Sequence, residues 1–305
     1  ILTNIVPDKE KQANLQGTIL VKIIKDKNKK KKDQITQYTN RQNSVSGKDF
    51  FALDAFQRQL VKSFEDIGYF YEIQNKSSLT KTKKDLLSYK GIDTYKYLFG
   101  KKFDNVLSVK TVVQTYAAGM YFMPGTAASR SGQLMVYGKK WSTIFNDSTP
   151  EDPLYWLYPF AIMYYAKYQL DYNNKSESHY KRIGLMFFIS CYFRTICHLL
   201  NKSSLLTLDN LFPLNIPIDY YKAIFDHPDF NVKLLTFVDS VVKLFLRDGL
   251  IKEIILKKYG HYDLVNFMKT EVETNERARN LLDDIINDEL SDDPSLVQGL
   301  VDMFS

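Results

Sequence analysis

The polar side chains of one short stretch, TNRQNSVSGKDFFALDAFQRQL (39–60), are the first candidates for chemistry in this sequence. An amide carries a donor and an acceptor on one planar group, so a cluster of amides can bind a base edge while neighbouring cations contact phosphate. The same amides can instead hydrogen-bond backbone groups at a helix end and fix the fold. We favour this second interpretation, an amide clamp, and keep a contact surface as the alternative. The amides and cations at the start of the stretch are Asn40, Arg41, Gln42, Asn43 and Lys48.

Four further polar residues follow this cluster. Gln57 lies one turn into the next predicted helix, where its amide can reach back to the same loop, and Arg58 adds a charge beside it. Tyr71 and Glu72 lie on a predicted strand, where an aromatic ring can stack on a base. We include all four with the cluster as candidate binding residues.

The segment Glu72-Ile73-Gln74 raises the question of a nuclease site. Alternate residues of a strand face the same way, so Glu72 and Gln74 share a face. A strand with Glu-x-Lys is half of a metal-dependent nuclease motif, but here Gln74 replaces the lysine and cannot stabilise developing charge. A nuclease that uses Mg²⁺ therefore stays the alternative, and otherwise we expect no cofactor.

Other catalytic patterns are missing from the sequence. There is no GxxxxGK[ST], GxGxxG or GxSxG, and the four histidines have no histidine four residues away, so HExxH-type zinc patterns are absent as well. We therefore name no catalytic residue and no metal ligand.

The charge is unevenly distributed. The net charge is +6, but 271–305 holds ten acidic and two basic residues, so it carries −8 and the rest of the chain carries +14. Lysines concentrate in KDKNKKKK (25–32) and in 76–102. These runs are typical of a lysine-rich surface, and the tyrosines near the second run make nucleic acid the other candidate partner.

Periodicity divides the chain into two kinds of structure. A strand over 15–25, a helix ending at Asn40, a helix from the N-cap Asp54 to Gly68, and a strand at YFYEIQ form a small β-α-α-β unit. From Val106 onward the apolar spacing is helical, and TAASRSGQL (126–134) is expected to be a loop or a frayed turn. The fold class is therefore α+β, predominantly α, with a mixed unit followed by a large helical bundle.

The expected domains are 1–105, mixed with basic loops; 106–270, helical; and 271–305, an acidic helical tail. Further helices are expected over 137–145, 152–172, 178–201, 217–225, 232–247, 250–269 and 271–290.

The apolar run IGLMFFISCYFRTICHLL (183–200) is long enough to cross a bilayer. Arg194 and His198 interrupt it, so we expect a buried helix of a bundle and no membrane partner. Cys191 and Cys197 are about 120° apart around such a helix, which indicates two buried thiols and a cytoplasmic protein. Because the chain begins at Ile1 without Met, we expect it to be a fragment of a longer protein.

Three elements in order carry a resemblance to a known family. They resemble the "TNsQNpv", "FfalDpfQrkL" and "gyyYErk" elements of the AIPR family, the abortive infection phage resistance proteins, and VVQTYAAGMYFMPGTAASRSGQL resembles its "AylAfflgdPgkAr" helix. Arg41 and Gln74 depart from this pattern, where a small and a basic residue are usual. The matching positions are Thr39, Asn40, Gln42, Asn43, Phe50, Asp54, Phe56, Gln57, Leu60, Tyr69, Tyr71 and Glu72.

The resemblance implies a role in bacterial antiphage defence. It also implies a further N-terminal region before Ile1, in which some members are suspected of nuclease activity. We therefore expect a region that binds nucleic acid, another defence-system subunit or that N-terminal part, without a catalytic site of its own. The alternatives are a nuclease completed by the N-terminal region and a purely structural helical scaffold.

Overall fold

The computed structural model describes residues 55–73, 88–92, 105–136, 138–168, 180–247, 249–261, 263, 266–267 and 276–305. All of them belong to one unit of the chain, Ser46–Ser305. The predictions for the strand at 15–25, the helix ending at Asn40, the lysine run 25–32 and the cap Asp54 lie outside the described residues.

The predicted helix and strand around Gly68 are present. Helix α1 spans Ala55–Asp66 and buries one face, including Leu60 and Phe64, as its apolar spacing requires. Gly68 ends the turn after α1 with a φ of +82°, a backbone angle that glycine adopts without strain. Strand β1 follows at Phe70–Glu72.

A second strand, β2, lies where the sequence predicts the start of a helix. Val106–Ser108 is extended and pairs in parallel with β1, Phe70 opposite Val106. The expected helix therefore begins three residues late, because the ladder with β1 satisfies these backbone groups first. Ser108 then caps the helix, and its Oγ accepts a hydrogen bond from the amide of Thr111 at 3.3 Å.

Helices form nearly all of the rest of the described chain, which confirms the predicted class of α+β, predominantly α. The division into three domains at 105 and 270 stays a prediction, and the β1–β2 pair joins residues on both sides of the first boundary.

The helices are α2 Val109–Met120, α3 Pro124–Ser129, α4 Lys139–Ile144, α5 Leu154–Tyr168, α6 Tyr180–Lys202, α7 Ile218–Asp226, α8 Pro228–Arg247, α9 Gly249–Tyr259, α10 Glu276–Asp292 and α11 Ser295–Phe304, with 3₁₀ turns at Ser131–Leu134 and Pro213–Asn215.

The prediction of a loop or a frayed turn over 126–134 is wrong for 126–129, which are helical, whereas 131–134 do form a turn. Helix α3 begins at Pro124, a favoured residue for the first turn, and the 3₁₀ turn Ser131–Leu134 follows it. Small polar residues often indicate a loop, but here they let α3 pack closely, since Ala127 and Ala128 are buried. The amide of Gln114 on α2 donates to the carbonyl of Ala127 at 2.5 Å and joins the two helices.

Helix α6 lies at the centre of the core and packs against α2, α3, α5 and α8. Its segment Ile183–Lys202, with a mean hydropathy of 1.6, is the one helix among the described residues that is long and apolar enough to cross a membrane. In that segment 94% of the apolar window is buried by the protein itself, so packing accounts for its composition. Cys191 and Cys197 are buried free thiols, as predicted.

Candidate functional site

Two of the predicted binding residues, Gln57 and Tyr71, meet in the core. The Tyr71 hydroxyl donates to Oε1 of Gln57 at 2.8 Å, and each residue is 1% exposed. The Tyr71 ring also stacks on Phe64 with centroids 4.9 Å apart, which fixes its orientation. This pair fastens α1 to β1, a position that favours the clamp interpretation for Gln57.

The other predicted residues are not gathered at one place by the described structure. Arg58 is exposed on α1, and Glu72 is half-buried at the end of β1, opposite Ser108 of β2. Their role in binding stays a prediction. Asn40, Arg41, Gln42, Asn43, Lys48 and Gln74 lie outside the described residues.

A charged cluster that sequence reasoning missed joins α6 to α10. Arg194 donates from Nε to Oδ1 of Asp283 at 2.5 Å and from Nη2 to Oδ2 at 2.6 Å. The Nε2 atom of His198, one turn further along α6, lies 2.8 Å from the same Oδ1. The three side chains are between 5% and 18% exposed, so solvent screens the cluster only weakly.

The cluster continues as a ladder along both helices. The Nδ1 atom of His198 lies 3.2 Å from Oδ1 of Asn287, and Lys202 donates to the carbonyl of Asn287 at 2.9 Å and to Oγ of Ser291 at 2.6 Å. The residues of α6 and of α10 that form it are each spaced by four, so they share one face of their helix. The sequence shows this spacing of four within each helix. It does not show that the two helices pair, because they lie far apart in the chain.

Burial and ion pairing shift the pKa values of Arg194 and Asp283 in opposite directions. Burial by itself would lower the pKa of the Arg194 guanidinium, but the hydrogen bond and charge of Asp283 outweigh it and raise that pKa above its ordinary value. Burial by itself would raise the pKa of the Asp283 carboxyl, but the hydrogen bonds and charges of His198 and Arg194 outweigh it and lower that pKa. Both groups are therefore charged at neutral pH.

A cavity of about 440 Å³ opens beside Arg194, and we take it as the candidate functional site. Its size lies within the range of about 300–1,000 Å³ that is usual for small-molecule pockets. Five separate segments form its wall, so only the folded chain assembles it. The lining residues are Tyr121, Phe122, Met123, Lys140, Arg194, Asn210, Leu211, Phe212, Pro213, Glu276, Arg279 and Asn280.

Aromatic rings form one wall of the cavity. The rings of Tyr121 and Phe212 meet edge to face, with centroids 5.7 Å apart. The guanidinium of Arg194 lies over the ring of Phe122 at 5.2 Å, a cation–π contact that adds to its ion pair. The Tyr121 hydroxyl lies 3.5 Å from the carbonyl of Ile144, and burial raises the pKa of that hydroxyl.

Two residues of the wall hold a strained backbone. Phe122 has a φ of +50° and Leu211 a φ of +47°, in the left-handed region that large side chains rarely adopt. Such conformations cost about 1–3 kcal/mol each and tend to occur at functional sites. Among the described residues the third case is Ser204, which does not line the cavity.

Charged side chains of both signs line the cavity. Lys140, Arg194 and Arg279 are basic, and Glu276 is acidic. The charge of Arg194 is offset by its ion pair with Asp283. Glu276 and Arg279 stand in the first turn of α10, where the helix dipole adds partial positive charge. In the part of the chain that the structure describes, no group of three or more His, Cys, Asp or Glu side chains is placed to hold a metal ion.

The comparison with known proteins identifies the family. No curated protein and no solved structure matches the chain significantly. The model of the AIPR protein family matches residues 3–215, which is well over half of the chain. The match includes both strands and α1 to α6, together with the cavity wall from Tyr121 to Pro213, and it ends before α10. The chain therefore belongs to the AIPR family, the abortive infection phage resistance proteins.

Proposed function

We propose that this chain serves in abortive infection as a region that binds nucleic acid, with the cavity beside Arg194 as its contact site. Family membership supports the role in phage resistance. The observation that supports binding is that cations and aromatic rings line the same cavity, since cations attract phosphate and rings stack on bases. Binding of this kind needs no cofactor and fits a cytoplasmic protein that meets phage nucleic acid.

Arg279 and Arg277 provide a matched pair for the test of this proposal. Both stand in the first turn of α10, but only Arg279 lines the cavity, while Arg277 is exposed and lines the neighbouring depression, which shares Glu276 and Asn280 with the cavity. Fluorescence anisotropy with short single-stranded DNA and RNA should show weaker binding for Arg279→Gln and unchanged binding for Arg277→Gln.

The salt dependence adds a second readout to the same experiment. Loss of one phosphate contact should reduce the slope of log affinity against log salt by about one unit. Equal affinities for the wild type and Arg279→Gln would reject the cavity as the contact site. Failure of every oligonucleotide to bind would instead favour the other partner that we consider, a further subunit of the defence system.

The second candidate function is a metal-dependent nuclease completed by residues outside the described part of the chain. One observation favours it: Glu72 stands at the carboxyl end of β1 in a parallel pair, the end at which open parallel sheets place their ligands. Incubation of the full-length protein with plasmid DNA and Mg²⁺ or Mn²⁺ tests it. Cleavage that disappears in a folded Glu72→Ala variant would establish this candidate, and no cleavage with either metal would reject it.

A further inference from the structure

We infer that the cavity beside Arg194 binds a guanine base, presented either by a single strand or by a free nucleotide. This inference rests on the proposed function and names the base that its contact site selects. Arg194 and Glu276, which line the same cavity, supply the hydrogen-bond donors and acceptors that carry it.

One edge of the Arg194 guanidinium is already used by the protein. Nε donates to Oδ1 of Asp283 at 2.5 Å, and Nη2 donates one hydrogen to Oδ2 at 2.6 Å. One face of the same group lies over the ring of Phe122, 5.2 Å from its centroid. These contacts fix the plane and the rotation of the guanidinium, so little ordering is left to be done when a ligand binds.

The opposite edge of the guanidinium is the part that a ligand can use. A guanidinium has five N–H donors, and Asp283 takes two of them. Among the described residues none accepts a hydrogen bond from Nη1, so both N–H groups of Nη1 and one of Nη2 remain. Arg194 lines the cavity and its side chain is 13% exposed, and we assign this exposed part to the remaining edge.

Two adjacent acceptors on a neutral group fit this edge. The charge of Arg194 is balanced by Asp283, so the edge offers parallel donors without a net charge that would attract a further anion. The O6 and N7 atoms of guanine are two such acceptors, and arginine binds them in the commonest specific contact to a base. Adenine carries an amino donor in the place of O6, and that donor would face the donors of Arg194.

Glu276 supplies acceptors for the other edge of guanine. Guanine has donors at N1 and at its N2 amino group, and a carboxylate offers two oxygens that accept. Glu276 is exposed and lines the cavity from the first turn of α10. Adenine has an acceptor at N1 and would find no donor on Glu276. Because Glu276 takes the Watson–Crick edge, the base must be unpaired, as bases are in single strands.

Fluorescence anisotropy of the full chain tests this inference with one short single-stranded DNA whose central base is varied. The other positions are thymine, and the central base is guanine, adenine, 7-deazaguanine or hypoxanthine. We expect guanine to bind at least about tenfold more tightly than adenine, because a bidentate contact discriminates by that much. Loss of N7 in 7-deazaguanine and loss of the N2 amino group in hypoxanthine should each weaken binding about tenfold.

Free nucleotides form the second arm of the experiment. Isothermal titration with GMP and guanosine, with AMP and adenosine as controls, shows whether the base is also bound outside a strand. We expect GMP and guanosine to bind at least about tenfold more tightly than AMP and adenosine.

Variants assign the preference to the two side chains. Arg194→Lys keeps a positive charge beside Asp283 but removes the planar edge, so it should lose the preference for guanine over 7-deazaguanine. Glu276→Gln should lose the preference for guanine over hypoxanthine, because an amide no longer accepts from both donors. The matched control is Asp284→Asn, since Asp284 is an exposed carboxylate of α10 outside the cavity lining, and both preferences should persist.

Circular dichroism and thermal melting confirm that each variant is folded before its affinity is compared. If Arg194→Lys does not fold, the series of bases on the wild type and on Glu276→Gln still decides, because neither disturbs the pair of Arg194 and Asp283.

The outcomes separate this inference from the proposed function. Strands that bind through Arg279 with equal affinity for all four central bases would overturn the inference and leave the proposed function in place. Guanine nucleotides that bind while every strand fails would support the inference and reject nucleic-acid binding. Absence of binding by all probes, or a guanine preference that Arg194→Lys and Glu276→Gln leave unchanged, would overturn the inference.

Discussion

Arg194 on α6 and Asp283 on α10 form a bidentate ion pair, with Nε 2.5 Å from Oδ1 and Nη2 2.6 Å from Oδ2. The pair connects the family-matched part of the chain, which ends at residue 215, to the acidic C-terminal helices. The same arginine lines the candidate cavity and lies over Phe122. Arg194 therefore contributes both to the docking of α10 and to the wall of the cavity.

Replacement of Asp283 by asparagine should destabilise the fold substantially. The substitution keeps the shape of the side chain but leaves the buried charge of Arg194 without a counter-ion. Loss of one partner from a buried pair costs about 3–5 kcal/mol, and partial exposure of both groups places the expected loss near 3 kcal/mol. Urea unfolding at neutral pH measures this change in the free energy of unfolding.

The pair of Lys243 and Asp239 on α8 supplies the control. These residues are four apart on one helix, and Lys243 is 45% exposed while Asp239 is 15% exposed. Lys243→Gln removes the exposed partner and should therefore cost only about 0.5 kcal/mol. Similar losses for Lys243→Gln and Asp283→Asn would show that burial does not strengthen the Arg194 pair.

Lowering the pH should reduce the contribution of Asp283 to the free energy of unfolding. Its pKa is lowered in the folded protein, so its stabilising effect is complete above the ordinary aspartate pKa of about 3.9 and is lost as the pH falls through the lowered folded-state pKa. The free energy of unfolding of the wild type should approach that of Asp283→Asn only below about pH 4, as the pH falls through the lowered folded-state pKa. A difference between the two proteins that stays constant over this range would contradict the assignment.

Loss of the buried hydrogen bond between Tyr71 and Gln57 should lower the stability of the fold. Tyr71→Phe removes the hydroxyl that donates to Gln57, and the expected loss is about 1–3 kcal/mol because the acceptor is buried. Tyr89→Phe is the control, since its hydroxyl contacts Glu65 at the surface at 3.3 Å, and its expected cost is within about 0.5 kcal/mol.

Phage protection distinguishes the clamp from a contact surface in the same variants. Tyr71→Phe and Gln57→Ala should both lower the melting temperature. In a protection assay at a temperature well below that melting point, both variants should still protect cells from phage. Loss of protection with an unchanged melting temperature would show that these side chains touch a ligand instead.

Helix α2 approaches α6 so closely at Gly119 that no side chain fits there. A Cβ atom at this position would lie 2.9 Å from Cδ2 of Phe193 and 3.2 Å from Cγ2 of Ile189. Gly119→Ala should therefore destabilise the fold by about 1–3 kcal/mol through overpacking. Gly132→Ala has open space around the new methyl group and should change stability by at most about 0.5 kcal/mol. Thermal melting of both variants is the measurement, and a neutral Gly119→Ala would mean that α2 and α6 can separate at little cost.

The sequence predicted those features that depend on local patterns. The apolar run of α6, the helix α1 and its end at Gly68 all follow from spacing or from a single special residue. Strand β2 was missed because three residues carry too little pattern, and its partner β1 lies 36 residues earlier in the chain.

The candidate cavity was missed for a related reason. The sequence around Arg194 shows only a charge that interrupts an apolar run, because nothing near it indicates Asp283, which lies 89 residues away. The cavity needs five segments that only tertiary packing brings together. Family elements in the sequence, in contrast, identified the family directly, since its marker residues are consecutive or nearly so.

The turn after α1 provides a final prediction, because two glycines with similar backbone angles differ in their surroundings. Gly68 has a φ of +82°, and a Cβ atom there would lie 2.9 Å from the backbone nitrogen of Gly91. Gly260 has a φ of +71° with nothing within 4 Å. Gly260→Ala should therefore cost only the left-handed strain of about 1–2 kcal/mol. Gly68→Ala should cost more, because it must also break the hydrogen bond from the Gly91 amide to the Gly68 carbonyl, which is 2.8 Å long. Urea unfolding compares the two variants, and equal losses would show that the backbone around Gly91 yields without cost.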